Sequence, residues 1–196
     1  MIDLNNTLIF IRHGQTDWNK QARLQGSQDI PINSTGERQA ARNGRVLADW
    51  FKEAERNPDA FDFISSPLQR CQHTMRLVRT AAGLEPIDAY ATDPRLIEIT
   101  FGDWEGSTLQ ELEQTSPQAV AARVADKWGF RPPNGESYDD LSQRVAPWLR
   151  SIERPTIAVS HGGVHRAVRG LLMGLEKQEI AALDVPQDRF YVFESG

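Results

Sequence analysis

Two histidine–glycine steps far apart in the chain have the residue types of a catalytic site. Arg12-His13-Gly14 follows the apolar run over residues 7–11, and Ser160-His161-Gly162-Gly163 follows the run over 156–159. Ligands of open α/β sheets bind in the crevice beyond the carboxyl ends of the strands, so both imidazoles are expected in such a crevice. The arginine beside His13 adds a positive charge with paired hydrogen-bond donors. The pattern predicts one two-histidine site for an anion.

A third basic side chain, Arg70, follows another predicted strand, so all three basic elements lie at strand-to-helix junctions. Helix N-termini at such junctions present free N–H groups and favour phosphate. Arg12 and Arg70 can each donate paired hydrogen bonds to phosphate oxygens, and their charges would keep a nearby histidine neutral. A neutral imidazole keeps its lone pair and can attack phosphorus, which predicts covalent catalysis by histidine.

These residues must be positioned by elements that alternate between strand and helix patterns. Strands are predicted over residues 7–11, 61–64, 86–91 and 156–159, and a last strand over 189–194 at a sheet edge. Such alternation is typical of βαβ units and a mainly parallel sheet. For this chain of 196 residues we predict an α/β fold of one domain, residues 1–196, with three α/β/α layers. Residues 96–134 are interpreted as a lid segment inserted over the sheet.

Capping and breaking residues predict where the helices begin. Capping-box patterns begin helices at Ser34 and Ser137, and Ser66-Pro67 begins another that ends at residue 83. Pro147 is expected to kink or shorten the helix that follows Ser137. Further helices are predicted over residues 107–128, with an interruption at 116–117, and over 163–173.

Composition narrows the class of protein and its partners. The net charge of −5 argues against general nucleic-acid binding, which is usually associated with a basic stripe. Cys71 is the single cysteine, which excludes an intramolecular disulfide and indicates a reducing compartment. No apolar stretch approaches the ~20 residues needed to span a bilayer, and no basic segment opens a secretory signal. We therefore expect a cytoplasmic protein without membrane contacts.

Five blocks of sequence resemble a known family. Residues 8–19, Leu-Ile-Phe-Ile-Arg-His-Gly-Gln-Thr-Asp-Trp-Asn, resemble the signature of the histidine phosphatase superfamily, also called the phosphoglycerate-mutase-like family. The resemblance continues in the family's order through residues 65–70, Glu98 with 101–106, 133–137 and 159–164. Ordered blocks that span nearly the whole chain are more specific than an Arg-His-Gly triplet alone.

The resemblance implies a role for each matched residue. His13 would be the nucleophile that becomes phosphorylated, and Glu98 would donate a proton to the leaving alcohol and then activate water. The phosphate pocket would be completed by Arg12, Arg70, His161 and Gly162, with a polar contact from Asn19. His161 would hold and polarise the phosphate. The resemblance implies no cofactor and no metal, and the expected partner is a small phosphorylated substrate.

Less specific interpretations exist for several of these side chains. Asp103 and Glu105 compete with Glu98 as the acid, and Glu136 is at least as suited to a helix start as to the site. His161 and His165, four residues apart, could share a helix face as metal ligands do. Instead we expect His165 and His73 to be packing or surface residues, and Trp18, Trp104 and Trp128 to pack in the core or lid. The block from Cys71 to Thr74, where many relatives have alanine and glutamine, is expected to be tolerated behind Arg70.

Three functions fit this pattern. We favour a phosphomonoester hydrolase, because the stretch after Glu98 is short and its Phe-Gly-Asp-Trp-Glu-Gly sequence resembles the phosphatase branch. The alternative is a mutase, which returns the phosphoryl group to a bound acceptor; mutases of the family carry a longer insertion there. A non-catalytic phospho-ligand binder would be expected to lose His13, an arginine or the acid, and this chain keeps them. The sequence makes no prediction of oligomeric state.

Overall fold

The central sheet brings both histidine–glycine steps to the carboxyl ends of two neighbouring strands. The computed structural model describes residues 1–194, and within them the sheet has five strands in the order β3-β2-β4-β1-β5. Strands β1 to β4 are parallel, and β5 pairs antiparallel with β1 at the sheet edge. The mainly parallel sheet with a final edge strand is therefore confirmed. The strands are β1 (Leu8–Arg12), β2 (Asp62–Ser65), β3 (Ala91–Thr92), β4 (Thr156–Ser160) and β5 (Phe190–Phe193).

Eight α-helices lie within residues 1–194. They are α1 (Asp17–Lys20), α2 (Ser34–Glu53), α3 (Gln69–Ala81), α4 (Leu109–Thr115), α5 (Pro117–Ala125), α6 (Tyr138–Arg150), α7 (Gly162–Met173) and α8 (Lys177–Ala182). The sequence did not predict α1 or α8, which are both short. The predicted interruption between α4 and α5 at residues 116–117 is confirmed.

Helices cover both faces of the sheet because successive strand side chains point to opposite sides. Leu8, Phe10 and Ala158 belong to a buried cluster with α6 and α7. Ile9 and Ile157 belong to a second buried cluster with α2 and α3. The three-layer α/β/α fold predicted from the sequence is therefore confirmed.

Strand register brings the two catalytic candidates together. Leu8 pairs with Thr156, and the pairing continues to Arg12 beside Ser160 at the carboxyl ends of the strands. The next residue on each strand is a histidine, and the His13 N–H donates to the Ser160 carbonyl at 2.9 Å. Because the two strands end level with each other, His13 and His161 lie side by side although they are 148 positions apart in the chain.

The predicted lid segment has a small hydrophobic cluster of its own. Trp104, Leu112 and Val120 are buried together in it. Leu24, from the loop after β1, joins the segment at its start: its N–H donates to Ser107 and its carbonyl accepts from Gly106. The fold therefore attaches residues 96–134 to the loop that follows His13, and their function as a lid stays a prediction.

Two helix starts differ from their predictions. The cap of α2 is Asn33, whose side-chain oxygen accepts from Thr35 N–H and Gly36 N–H, so Ser34 is the first helical residue. Asparagine is among the best N-cap residues, and it precedes the predicted cap by one position. Helix α3 begins at Gln69 with Leu68 at the cap, because the hydroxyl of Ser66 faces the candidate site described below.

Two further expectations were wrong in part. Of the predicted strand over 86–91, only Ala91 pairs, because local bonds from Ala89 N–H to Pro86 and from Tyr90 N–H to Asp88 turn the backbone. Helix α6 runs through Pro147 to Arg150, although proline removes one helical donor. The neighbouring side chains Trp148 and Leu149 are 1% and 2% exposed, so tertiary burial keeps the helix from ending at the proline.

Candidate active site

Six of the seven predicted site residues line one pocket. It has a volume of about 140 Å³ and lies at the carboxyl ends of β1 and β4. The seventh, His161, is fully buried behind it, with its ring centroid 5.1 Å from that of His13. The pocket wall also includes Arg23, Gln25, Phe101 and Arg166. The six are Arg12, His13, Asn19, Arg70, Glu98 and Gly162.

The local hydrogen bonds of His13 select one tautomer. Its Nδ1 lies 2.8 Å from the carbonyl oxygen of Gly14, which can only accept, so Nδ1 carries the proton. The lone pair of the neutral ring is then on Nε2. The ring is 2% exposed, which fixes its orientation. This tautomer is the one that the predicted attack through Nε2 requires.

Charge and burial keep His13 neutral. Burial lowers the pKa of His13 well below its usual range, and the positive charges of Arg70 and Arg12 lower it further. The imidazole is thus unprotonated at neutral pH. This is the condition that covalent attack on phosphorus requires.

Arg70 is fixed from three sides. Its side chain is fully buried; Nη1 donates to the Gln28 carbonyl at 2.5 Å and Nη2 to the Gly26 carbonyl at 2.8 Å. Its Nε donates to His161 Nδ1 at 3.2 Å. A guanidinium has five N–H donors, so two remain for an anion in the pocket.

His161 contacts Arg70 and not the pocket space. Because its Nδ1 accepts from Arg70, its proton is on Nε2, which donates to the Ser66 hydroxyl at 2.8 Å. Burial lowers the pKa of His161 well below its usual range, and Arg70 lowers it further. Both ring nitrogens therefore have protein partners, and the phosphate contact of His161 stays a prediction. Its position supports Arg70.

Arg12 has a donor that no protein atom satisfies. Its Nη1 donates to the Val185 carbonyl, whereas its buried Nε has no partner within residues 1–194. A Cβ atom on Gly162 would lie 3.4 Å from the Arg12 guanidinium carbon, so this side chain packs directly against the start of α7. Buried polar groups in native proteins are almost always paired, and an anion would pair this one.

Glu98 is held at the pocket by backbone donors. Its two carboxylate oxygens lie 3.0 and 3.1 Å from Gly163 N, and Ile99 N–H donates to it at 3.0 Å. Arg144 fixes the preceding chain by donating to the Ile97 carbonyl at 2.9 Å and pairing with Glu136 at 2.8 Å. Glu98 is the one carboxylate among the side chains that line the pocket.

The competing acids have other partners. Glu105 accepts from Ser27 and Thr100, and although its burial acts to raise its pKa, these hydrogen bonds lower it overall. Asp103 accepts from the Asn134 amide. Neither lines the pocket, so the position of Glu98 agrees with its predicted role.

Residues 8–195 match the family model of the histidine phosphatase superfamily, branch 1. The chain belongs to the histidine phosphatase superfamily. The family and class of activity predicted from the sequence are therefore confirmed, and the roles of the individual residues stay predictions.

Known relatives of this histidine phosphatase include phosphatases and mutases. It is 32% identical over 86% of its length to a glucosyl-3-phosphoglycerate phosphatase from Mycolicibacterium vanbaalenii, covering 74% of that protein. A probable phosphoglycerate mutase from Yersinia enterocolitica is also 32% identical, with 86% and 75% covered. A 6-phosphofructo-2-kinase/fructose-2,6-bisphosphatase from Caenorhabditis elegans is 30% identical over 93% of this chain, which spans only 37% of that protein.

A solved structure has the same fold. The putative alpha-ribazole-5'-P phosphatase from Escherichia coli superposes with a TM-score of 0.79 at 28% identity. The superposition covers 95% of this chain and 89% of the other. The similarity therefore extends over nearly all of the α/β/α fold of this histidine phosphatase.

Sequence reasoning missed several residues that contact the site of this histidine phosphatase. Ser66 accepts from His161, and Cys71 Sγ lies 3.4 Å from His161 Nε2. Thr74 Oγ1 accepts from Gly14 N–H at 3.0 Å and donates to the Arg70 carbonyl at 2.7 Å. Cys71 and Thr74 do lie on the helix behind Arg70, but both contact site residues. The four-residue step from Arg70 to Thr74 was the available signal.

Of the aromatic residues expected to pack, His165, Trp104 and Trp128 do so. His165 is 1% exposed and stacks on Phe10 with ring centroids 4.8 Å apart, and burial followed by the charge of Arg169 lowers its pKa to about 3. It therefore lies in the core, as expected of a packing residue. Trp104 is buried in the lid cluster, and Trp128 stacks near Tyr138. His73, half-buried on α3, lines a separate surface cavity.

Proposed function

We propose that this chain hydrolyses the phosphate monoester of a small hydroxyl-bearing metabolite through a phosphohistidine on His13. One observation carries the proposal: a neutral His13 presents the lone pair of Nε2 in a pocket lined by Arg12, Arg70 and Glu98. The proposed nucleophile, two anion-binding side chains and a proton donor would thus act in a single pocket.

The first step transfers the phosphoryl group to the protein. The Nε2 lone pair forms a bond to phosphorus while the bond between phosphorus and the ester oxygen breaks. Glu98 gives its proton to that oxygen, and the alcohol leaves. The free donors of Arg12 and Arg70 bind the equatorial oxygens, where charge accumulates in the transition state.

The second step regenerates the nucleophile. Glu98, now ionised, takes a proton from a water molecule as the water oxygen bonds to phosphorus. The nitrogen–phosphorus bond breaks, its electron pair returns to Nε2, and inorganic phosphate leaves. Gly14, whose carbonyl holds the Nδ1 proton, keeps Nε2 directed at phosphorus through both steps.

The pocket walls favour a small anionic substrate. Arg23 and Arg166 lie on the wall with Phe101, beyond the residues assigned to the phosphate. The volume of about 140 Å³ admits a phosphate and the atoms next to it, so the rest of the substrate contacts the rim. Relatives named for phosphorylated glycerates and ribazole support a small metabolite as the substrate class.

The alternative function is phosphoryl transfer of the mutase type. It is favoured by the similarity, at 32% identity, to the probable phosphoglycerate mutase. A mutase and a hydrolase share the phosphohistidine and differ in the acceptor that attacks it. A non-catalytic phospho-ligand binder is disfavoured because His13, both arginines and Glu98 are all present.

Hydrolysis and isomer exchange distinguish these functions. The protein is incubated with generic phosphomonoesters and with phosphoglycerates while free phosphate and isomers are measured, and the phosphoprotein is trapped by rapid quenching. We expect phosphate release, phosphorylation at His13, and loss of both in His13→Ala. His73→Ala, a matched histidine change outside the pocket, should retain activity. Hydrolysis that survives His13→Ala would refute the covalent mechanism, and exchange faster than release would assign a mutase.

We further infer a cytoplasmic location and no nucleic-acid partner. The one cysteine, Cys71, is free and buried, which supports a reducing compartment. The net charge of −5 disfavours binding to a polyanion. Within residues 1–194, no helix combines the length and apolar character that crossing a membrane requires. Cell fractionation and a filter-binding assay with DNA and RNA test these two inferences.

A further inference from the structure

The segment between α8 and β5 contacts the candidate site from behind. We call residues 183–189 the C-terminal strap. The Val185 carbonyl of this strap accepts from Arg12 Nη1. Two residues later, Gln187 Nε2 lies 3.0 Å from the carbonyl oxygen of His13 and 3.0 Å from Asn19 Oδ1. One glutamine amide thus touches both the nucleophile's backbone and a pocket side chain.

Hydrogen-bond chemistry fixes the orientation of both amides. Asn19 Oδ1 accepts from Thr16 N–H at 3.1 Å, and a backbone N–H can only donate. Gln187 faces two oxygen acceptors, so the group it presents must be its NH₂. Neither amide can rotate by 180° without bringing two acceptors or two donors together. Each therefore has a single satisfied orientation.

The fixed orientation determines what Asn19 offers to a ligand. Its Oδ1 is occupied by the donors of Thr16 and Gln187, and its Nδ2 has no protein acceptor within residues 1–194. Asn19 lines the pocket beside Arg12 and His13. We propose that Gln187 is a positioning residue that turns the Asn19 NH₂ toward the substrate phosphate. This inference rests on the proposed function, because it assumes that the pocket binds a phosphate group.

Contacts with helix α2, on the side of the C-terminal strap away from the pocket, hold the strap in place. The Gln187 carbonyl accepts from Asn43 Nδ2 at 3.2 Å, and Asn43 is buried on α2. The next strap residue, Asp188, pairs with Arg42 at 3.4 Å on the exposed side. Helix α2 therefore fixes the backbone from which Gln187 reaches the pocket. Asp188 belongs to the same strap and does not touch the pocket, which makes it a matched control.

The positioning role of Gln187 is tested by the affinity of the protein for inorganic phosphate. This affinity is measured by titration calorimetry, without turnover. Gln187→Met keeps the length of the side chain and removes its donors, so the Asn19 amide is released and phosphate binding should weaken about tenfold. Gln187→Glu should weaken it more, because its carboxylate would repel Oδ1 and add negative charge. Asp188→Asn should bind phosphate like the unaltered protein. Melting temperatures establish that each variant is folded.

A double-variant cycle separates positioning from a general structural effect. In an Asn19→Ala background, Gln187→Met should produce no further loss of phosphate affinity, since the side chain it positions is gone. Equal losses in both backgrounds would overturn the inference, as would a Gln187→Met variant with unchanged affinity. If the unaltered protein binds phosphate but hydrolyses no ester, the proposed function fails while the cycle still decides the role of Gln187. An unaltered protein that binds no phosphate would overturn both.

Discussion

Gly163 holds Glu98 through its backbone N–H, with the nitrogen 3.0 and 3.1 Å from the two carboxylate oxygens. A Cβ atom at this glycine would lie 2.4 Å from Glu98 Oε1 and 2.9 Å from Ile99 Cγ2. The absence of a side chain at the start of α7 is therefore what allows the carboxylate to rest on the helix. The second glycine of the Ser-His-Gly-Gly block thus positions the proposed acid.

Gly163→Ala should displace Glu98 without unfolding the protein. The atom nearest to the added Cβ is Glu98 Oε1, at the end of a flexible side chain. The fold can therefore adjust, while the carboxylate moves away from Gly163 N–H. We expect kcat to fall by about 10²-fold, within the range that a general acid contributes, with the melting temperature little changed. Steady-state kinetics and thermal unfolding measure the two effects.

A control for Gly163→Ala tests whether its loss of activity depends on Glu98. In a Glu98→Gln background, Gly163→Ala should cost little additional activity, because the group that it displaces no longer transfers a proton. A large further loss there would mean that the alanine disturbs the pocket by another route.

Stability should fall as the pH drops below about 6.5. The pKa values of His13, His161 and His165 are all lowered in the folded protein, chiefly by burial. Below the unfolded value the unfolded chain binds more protons than the native one, so stability is present above that pH and lost beneath it. His165→Phe removes one of the three groups and should reduce the proton uptake on unfolding by about one. Urea unfolding at pH 7.5 and pH 5.0 measures the difference.

Comparing two pH values cancels any packing cost of the larger ring. His165 does not line the pocket, so activity at pH 7.5 should be retained. If His165→Phe loses as much stability between the two pH values as the unaltered protein, His165 is not buried in the neutral form.

Cys71 should be inert to alkylation in the folded protein. Burial raises the pKa of its thiol well above the usual range, and only the thiolate reacts readily. Iodoacetamide at pH 8 should therefore modify the chain only after denaturation, as followed by mass spectrometry. Modification of the native protein that is as fast as that of the denatured one would show that the helix α3 opens around His161.

Much of the fold was predictable because its signals are local. In the apolar runs before His13 and His161, residues 8–11 and 157–159 are fully buried strand residues, and Gly83 adopts a positive φ of 70° after α3. The exceptions are helix boundaries that are set by tertiary packing or by a neighbouring capping residue. Asn33 precedes Ser34 by one residue, and Pro147 is tolerated because the side chains around it are buried. Hydrophobic periodicity and helix propensity predict neither effect.

The site was predictable where a motif carried the chemistry, and not where a single polar side chain crosses from another element. Arg12, His13 and Glu98 belong to blocks that resemble a family signature. Gln187 lies in a segment without a motif, and its contact with Asn19 spans 168 positions of the chain. Which nitrogen of His161 faces Arg70 likewise depends on packing that no sequence pattern encodes.

The position of β1 in the sheet has a consequence for synthesis of the protein. Within residues 1–194, β1 pairs with β4 and β5 and with no strand encoded between residues 13 and 155. A growing chain that has not reached residue 156 thus offers the strand of His13 no hydrogen-bonded neighbour. Strand β1, which ends beside His13, therefore pairs only after residues 156–160 have been added, and the arginine-lined cleft around the proposed nucleophile forms no earlier.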